Sequence, residues 1–308
     1  MLTESSTLAA SGERIITDAP IGVARVRVED AASLPLRVPV IFTDASDVWP
    51  IRRCATPDYF RSVHGAHRVR VLGKDCTLAQ LIERLQRATP DDPGPYPCKF
   101  EIATDFHELL GDVTPRLRCS LPDRQLNPLI PQRLFSGVNN LEIFFGGAGG
   151  KFPYLHYDVL HLHAWITQLY GDKEFTLYAP DQEPFLYPKP DLPWQSAVCN
   201  PLDPDLARYP LLRNARAQRV VLHAGETLFL PAGWWHTARN LTFTISVAFD
   251  QLAADNWKGF VADVIAQRRR DGKTMRARLL GAYLHLLGPL LSVYELFGGN
   301  HRCHWGRR

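Results

Sequence analysis

The chain has 308 residues, of which 45% are hydrophobic, and a formal net charge of +3. This length and apolar content are typical of a soluble globular protein with a full core, and the small charge gives no strong indication of a nucleic-acid partner. Six cysteines are scattered without a C-x-x-C pair, a pattern that fits reduced thiols better than a disulfide framework. Because the first ten residues also lack the basic start and apolar run of a signal peptide, we expect a cytoplasmic protein.

The N-terminal third is predicted to mix short helices and strands. Residues 1–18 are small and polar, and we expect them to be disordered. Residues 78–88 carry apolar side chains at helical spacing and are predicted to form an amphipathic helix.

Between residues 141 and 249, short apolar segments follow one another at close spacing. They span residues 141–145, 164–170, 174–180, 219–222, 227–230 and 241–249. The Gly171-Asp172 pair predicts a two-residue hairpin between the second and third segments. The last segment alternates small polar with large apolar residues, which predicts a strand with one buried face. Together these segments indicate an antiparallel sandwich or barrel, interrupted by a proline-rich irregular stretch at 189–210.

After residue 249 the periodicity changes to that of helices, in a C-terminal helical region at 253–300. Helices are predicted at 255–268 and 274–291, and residues 301–308 are expected to be a flexible tail. The second helix is interrupted by Gly281, His285 and Gly288, so we expect no membrane span. Its excess of apolar residues instead favours a homodimer interface or a partner groove.

The most informative motif is the H-x-D of His156 and Asp158, together with the W-W-H that ends at His236. Residues two apart on a strand point to the same side, so the first imidazole and the carboxylate can meet. A second imidazole, from a distant strand, completes a set of two histidines and one carboxylate. This set is the facial triad of non-heme Fe(II) oxygenases. The sequence offers no obvious fourth ligand, as a structural zinc site would require.

In this order, the motifs resemble those of the JmjC-type, cupin-like Fe(II)/2-oxoglutarate oxygenases. The matching pieces are the glycine turn at 146–150, the H-x-D, the G-x-K at 171–173, the segments 178–188 and 225–231, and the W-W-H at 234–236. The likeness spans about residues 38–249. Within the family, it is greatest to the protein hydroxylases that include the asparaginyl hydroxylase inhibiting hypoxia-inducible factor.

This resemblance implies a catalytic domain at 19–252 with a double-stranded β-helix, or jelly roll. It implies that His156, Asp158 and His236 bind Fe(II), and that Lys173 pairs with the distal carboxylate of the co-substrate 2-oxoglutarate. The implied reaction is hydroxylation of a C–H bond, with a protein or peptide side chain as the expected substrate. The alternatives are the same chemistry on a small molecule or a tRNA base, and a non-catalytic cupin that binds metal as a scaffold.

The sequence departs from the family pattern at Pro153. Many relatives carry a hydroxyl residue there, three positions before the first ligand histidine, which helps to hold the 2-oxoglutarate carboxylate. Proline has no side-chain donor. The hydrogen bond is therefore expected from Tyr154, Thr167, Thr176 or a residue on another strand.

Further histidines and tryptophans surround these motifs. If the chain is extended, His161 and His163 share one face, and roles in lining or supporting the pocket are favoured over a second metal pair. Strand alternation allows only one of Trp234 and Trp235 to face the pocket.

Overall fold

The computed structural model describes residues 22–33, 37–136, 138, 141–301 and 305. The segment predicted to be disordered, residues 1–18, lies outside this part of the chain. The strands are β1 Ala24–Val26, β2 Val40–Phe42, β3 Arg68–Val71, β4 Lys74–Thr77, β5 Cys98–Glu101, β6 Glu142–Gly146, β7 His163–Tyr170, β8 Lys173–Tyr178, β9 Gln218–Leu222, β10 Thr227–Leu230, β11 Trp235–Asn240 and β12 Thr244–Gln251. The α-helices are α1 Pro57–Val63, α2 Leu78–Gln86, α3 Ile102–Asp105, α4 Trp257–Arg270 and α5 Thr274–Leu296.

Two sheets form the jelly roll that the sequence predicts. The larger has seven strands in the order β1-β2-β10-β7-β12-β6-β5, and the smaller has three in the order β11-β8-β9. All pairs within these sheets are antiparallel except β1 with β2. Side chains of both sheets join in one buried cluster, in which Ile166 and Leu228 of the larger sheet accompany Phe175, Val220 and Ala238 of the smaller. These side chains form an apolar core between the sheets, and a cavity lined by both polar and apolar residues opens beside it.

The predicted hairpin at Gly171-Asp172 is wrong, because β7 and β8 lie in different sheets. The turn packs against the segment before β12 instead. The backbone N–H of Asp172 donates to the Thr242 hydroxyl at 2.9 Å, and its carbonyl accepts from Leu241 N–H at 2.9 Å. Because the chain crosses from the larger to the smaller sheet at this turn, Lys173 lies on the smaller sheet. Its side chain faces β12 of the larger sheet across the sandwich.

The outer face of the larger sheet is covered by the N-terminal helices. Leu78, Leu81, Ile82 and Leu85 of α2 are buried in one cluster with Trp165 of β7, as the amphipathic pattern predicts. A capping box fixes the start of α2, since Thr77 Oγ1 accepts from Gln80 N–H and Gln80 Oε1 accepts from Thr77 N–H. Such a cap contributes about 1 kcal/mol.

Strand β12 is buried on both faces, not on one as its alternation suggests. The large residues Ile245, Val247 and Phe249 pack in the outer cluster. Ser246 and Ala248 face the interior cavity. The small polar side of the pattern is thus a cavity wall, not a surface exposed to solvent.

The two C-terminal helices pack on each other and on the jelly roll. Buried residues of α4 and α5 share a cluster with Leu160, Leu162 and Leu252. By length and composition alone, α5 is long and apolar enough to cross a membrane, a property that core helices share. Of the predicted flexible tail, residues 301–308, the structure describes His301 and Trp305. The Trp305 indole N–H donates to the Val113 carbonyl at 2.9 Å, and its ring packs edge-on against Phe249.

Candidate metal centre

His156 and His236 are brought together by the backbone. The two residues form an isolated antiparallel bridge, in which His156 N–H donates to His236 C=O at 3.1 Å and His236 N–H donates to His156 C=O at 2.6 Å. Their ring centroids are 4.3 Å apart. His156 also bridges to Gln195, so the H-x-D segment is extended but belongs to neither sheet as a regular strand.

Asp158 completes the group. It has extended backbone angles, φ −69° and ψ 134°, and its Oδ2 atom lies 3.9 Å from His236 Nε2. One potential ligand atom from each of His156, Asp158 and His236 lies within 4.8 Å of the others. The three side chains that the motifs single out therefore converge on one point.

The chemistry of this donor set fits a divalent cation. His236 Nδ1 lies 3.1 Å from the carbonyl of Trp234, which can only accept a hydrogen bond, so Nε2 keeps its lone pair toward Asp158. Burial and the neighbouring His236 lower the pKa of His156 well below its ordinary value, which keeps this imidazole neutral as a ligand must be. Burial raises the pKa of Asp158, because its carboxylate has no full countercharge there.

A cavity of about 90 Å³ opens beside the three residues. Its wall contains no cysteine and no third histidine among the residues that the structure describes. The polar and aromatic wall residues besides the triad are Tyr96, Phe144, Phe152, Lys173, Phe175, Thr237, Ser246, Phe249 and Asp250. Absence of a further imidazole or thiolate distinguishes this centre from a closed zinc site.

Lys173 is a buried residue of the cavity wall, and its side chain can carry a positive charge. Its Nζ donates to Ser246 Oγ at 2.6 Å, and Ser246 in turn donates to Gln168 Oε1 at 2.8 Å. The Nζ atom lies 5.8 Å from the ring centroids of both Tyr96 and Phe144. Burial lowers the pKa of Lys173 from 10.5 to about 7, and among the described residues no carboxylate forms an ion pair with it. An anionic ligand would supply that compensation.

Comparison with known proteins agrees with this architecture. The model of the cupin-like domain family matches residues 26–250. This chain belongs to the cupin-like, JmjC-type family of oxygenases.

Individual relatives carry the names of several enzymes. The lysine-specific demethylase JMJ30 of Arabidopsis thaliana is 26% identical over 293 residues, which cover 77% of this chain and 63% of the relative. Lysine-specific demethylase 8 of Danio rerio is 26% identical over 225 residues, or 68% of this chain and 52% of the relative. The human tRNA wybutosine-synthesizing protein 5 is 38% identical over 92 residues, or 30% of this chain and 28% of that protein. The chain thus spans between about half and two thirds of the length of the two demethylases.

Two of the residues predicted to bind the co-substrate of this JmjC-type cupin do not reach the cavity. Thr167 lies on the opposite face of β7 from Ile166, and its hydroxyl pairs with that of Thr227 at 2.9 Å. Tyr154 packs edge-on against the ring of His156, with centroids 5.0 Å apart, and does not line the cavity. Thr176, considered with them, is also absent from the cavity wall.

The residues that the sequence analysis missed are Tyr96, Ser246 and Asp250. Tyr96 lies in a proline-rich turn that carries no recognisable motif. Ser246 and Asp250 do carry a signal, because both fall on the small polar side of β12, four residues apart. Ser246 places a hydroxyl beside Lys173, where the chain lacks one at position 153.

The remaining histidines and tryptophans have structural contacts. Leu160 and His161 have positive φ, so the segment is not extended and the shared face predicted for His161 and His163 does not exist. His161 pairs with Asp263 at 2.9 Å, and His163 with Asp255 at 3.1 Å. These contacts connect the centre to the C-terminal region.

Trp234 and Trp235 are both buried in apolar clusters, and neither lines the cavity.

A second group with metal-binding residue types lies elsewhere. His64 Nδ1 and His67 Nε2 each lie 3.0 Å from Glu108 Oε1. Hydrogen bonds to the shared carboxylate oxygen account for these distances without an ion.

Proposed function

We propose that the chain is an Fe(II)- and 2-oxoglutarate-dependent hydroxylase. His156, Asp158 and His236 would hold the iron, and Lys173 with Ser246 would hold the distal carboxylate of 2-oxoglutarate. The reaction converts O2, 2-oxoglutarate and a substrate with a C–H bond into succinate, CO2 and the hydroxylated product. The bound metal supplies the activation of O2. The observation that carries the proposal is the convergence of two imidazoles and one half-buried carboxylate beside a cavity that contains the buried Lys173.

The protein's own residues contribute position and exclusion of water. The bridge between His156 and His236 sets the separation of the imidazoles, and the Trp234 carbonyl sets the tautomer of His236. Phe152 stacks on His156 with centroids 4.9 Å apart, which restricts rotation of the ring. Lys173 is buried, so its interaction with a carboxylate is stronger than it would be in water.

A protein or peptide substrate is our preferred class. Two relatives are named as lysine-specific demethylases, which agrees with a protein substrate. Tyr157 and Val159, on either side of Asp158, line a larger groove of about 550 Å³ between residues 191–194 and α4, but this groove shares no lining residue with the cavity beside the triad. By family analogy, an aspartate ligand favours stable hydroxylation.

The names of two relatives favour a second candidate, lysine demethylation. Hydroxylation of an N-methyl group would release formaldehyde, so formaldehyde formation from methylated peptides separates the two reactions. Because one relative is named a tRNA wybutosine-synthesizing protein, a modified tRNA base is the third class of substrate to assay.

Succinate formation tests the proposed function. The full chain is incubated with Fe(II), O2 and 2-oxoglutarate, and succinate is quantified by NMR for the wild type, Asp158→Ala and His236→Ala. We expect both substitutions to abolish turnover while the matched surface variant His223→Ala retains it, since His223 is exposed and pairs with Asp172. Undiminished succinate formation in Asp158→Ala, with a folded protein, would refute the ligand assignment. A wild type that binds Fe(II) but forms no succinate would favour the scaffold alternative.

A further inference from the structure

The cavity contains a carboxylate that the proposed chemistry does not use. Asp250 lines the cavity and is 7% exposed. Within the described residues, its carboxyl group has neither a side-chain hydrogen bond nor an ion pair. A buried carboxylate without a partner is costly, and such groups in a cavity are candidates for ligand binding.

Asp250 and Lys173 mark opposite ends of one wall. Ser246, Ala248 and Asp250 alternate along the cavity face of β12. At about 3.3 Å per residue, Asp250 lies roughly 13 Å along the strand from Ser246, the residue to which Lys173 is bonded. The cavity therefore has a positive end, where the co-substrate carboxylate is proposed to bind, and an acidic end.

A second carboxylate lies on the neighbouring strand. Glu142 of β6 is opposite Ala248 in the sheet register, on the same face as the cavity residue Phe144. Its Oε1 accepts from Lys99 at 3.0 Å, whereas its buried Oε2 has no hydrogen-bond partner. Burial raises the pKa of Asp250 well above its ordinary value, and the negative charges of Asp158 and Glu142 raise it further. The negative charge at the acidic end is thus only partly compensated by Lys99.

We infer that Asp250, with Glu142 behind the cavity wall, is a specificity-determining residue that binds a positively charged, N–H-bearing group of the prime substrate, a guanidinium or an ammonium. The inference rests on the proposed function, in which 2-oxoglutarate occupies the Lys173 end and leaves the Asp250 end to the prime substrate. A cation with several N–H donors can form charge-assisted hydrogen bonds with Asp250, and the nearby carboxylate of Glu142 adds to the electrostatic attraction. A neutral or anionic group would leave them buried and uncompensated, which discriminates against it.

Binding of small probes tests this inference without turnover. n-Butylguanidinium, n-butylammonium, the neutral isostere n-butylurea and butanoate are titrated into the full chain by NMR, with and without Mn²⁺ and 2-oxoglutarate under argon. We expect the two cations to bind, and Asp250→Asn to weaken that binding about tenfold or more. The control Asp91→Asn, an exposed aspartate, should leave it unchanged. Equal binding of n-butylurea, unchanged cation affinity in Asp250→Asn, or no cation binding to the wild type would each overturn the inference.

A turnover assay then identifies the source of the cation. Succinate formation above the substrate-free rate is measured with free arginine and lysine, and with otherwise identical peptides bearing Arg, Lys, Gln or Glu at the central position. Stimulation by Arg or Lys peptides alone indicates a side chain, and stimulation by the free amino acids indicates a small molecule. Stimulation by the Gln or Glu peptide in preference to both basic ones would contradict the inference. If no succinate forms at all, the proposed function fails, while the probe titration still decides whether Asp250 binds cations.

Discussion

Lys173 and Ser246 form a hydrogen bond of 2.6 Å that connects the two sheets of the jelly roll. The lysine belongs to β8 of the smaller sheet and the serine to β12 of the larger. Because the pair is buried beside the three convergent ligand residues, it defines one end of the cavity.

Removal of the lysine should weaken co-substrate binding. A hydrogen-bonded charge pair is worth about 1.5–3 kcal/mol, so Lys173→Met should raise the KM for 2-oxoglutarate by roughly ten- to 150-fold. Ser246→Ala, which removes a neutral partner, should raise it by at most about tenfold. Steady-state succinate formation gives both values, with the exposed lysine of β4 changed in Lys74→Met as the matched control. An unaltered KM in Lys173→Met would mean that the carboxylate binds elsewhere.

Binding of 2-oxoglutarate should take up a proton above neutral pH. The pKa of buried Lys173 is about 7 without a ligand, so at pH 8 its amine is mostly neutral, and a carboxylate partner raises that pKa again. Calorimetric titrations at pH 8, in two buffers with different ionisation enthalpies, should show uptake approaching one proton per 2-oxoglutarate bound. In Lys173→Met this uptake should vanish. Proton release, or uptake that persists in this variant, would contradict the prediction.

The same pKa shift has a defined effect on stability. Lys173 titrates at about 7 in the folded chain and at an ordinary 10.5 when unfolded, so the unfolded state binds more protons between these values. This lysine therefore makes the free energy of unfolding rise with pH across that window. Urea unfolding of the ligand-free wild type and of Lys173→Met at pH 7 and pH 9 measures the contribution. The free energy of unfolding of the wild type minus that of Lys173→Met should increase from pH 7 to pH 9, and a decrease would contradict the prediction.

Two neighbouring strands show why part of the site follows from sequence and part does not. The ligand group could be predicted because its residues lie in two short motifs, H-x-D and W-W-H, whose local spacing already suggests a common point. Asp250 and Glu142 could not be paired in this way, because their proximity depends on the register of β12 against β6. The failed hairpin at Gly171 has a related cause, since the turn bonds to residues about 70 positions later in the chain.

The buried pair of Arg124 and Glu295 should anchor α5 to the jelly roll. Arg124 donates to Glu295 through two nitrogens, at 2.7 and 2.6 Å, and is 1% exposed. Removal of one partner of a buried pair leaves an uncompensated charge, so Glu295→Ala should cost about 3–5 kcal/mol of the free energy of unfolding. Urea unfolding measures this, and Asp75→Ala, which breaks the exposed pair of Arg70 and Asp75, should change stability far less. Equal effects of the two substitutions would contradict the anchoring role.

A homodimer through α5 remains our prediction for the assembly state. Exposed apolar side chains recur along this helix and its C-cap at intervals of three and four residues, the spacing of a helix-pairing seam. They are Met275, Leu279, Tyr283, Leu286, Leu290, Val293 and Phe297. The double variant Leu286→Arg, Leu290→Arg should halve the mass measured by light scattering, whereas Val63→Arg, at an exposed position of α1, should not. A wild type that is already monomeric would refute the prediction.

The position of a bound metal tests the central claim most directly. Crystals of the full chain grown with Mn²⁺ and 2-oxoglutarate in the absence of O2 can be measured at the manganese absorption edge. We predict one strong anomalous peak within bonding distance of His156, Asp158 and His236, with a carboxylate of 2-oxoglutarate beside Lys173. A peak confined to the other candidate group, His64, His67 and Glu108, or a cavity without an anomalous peak, would contradict the account.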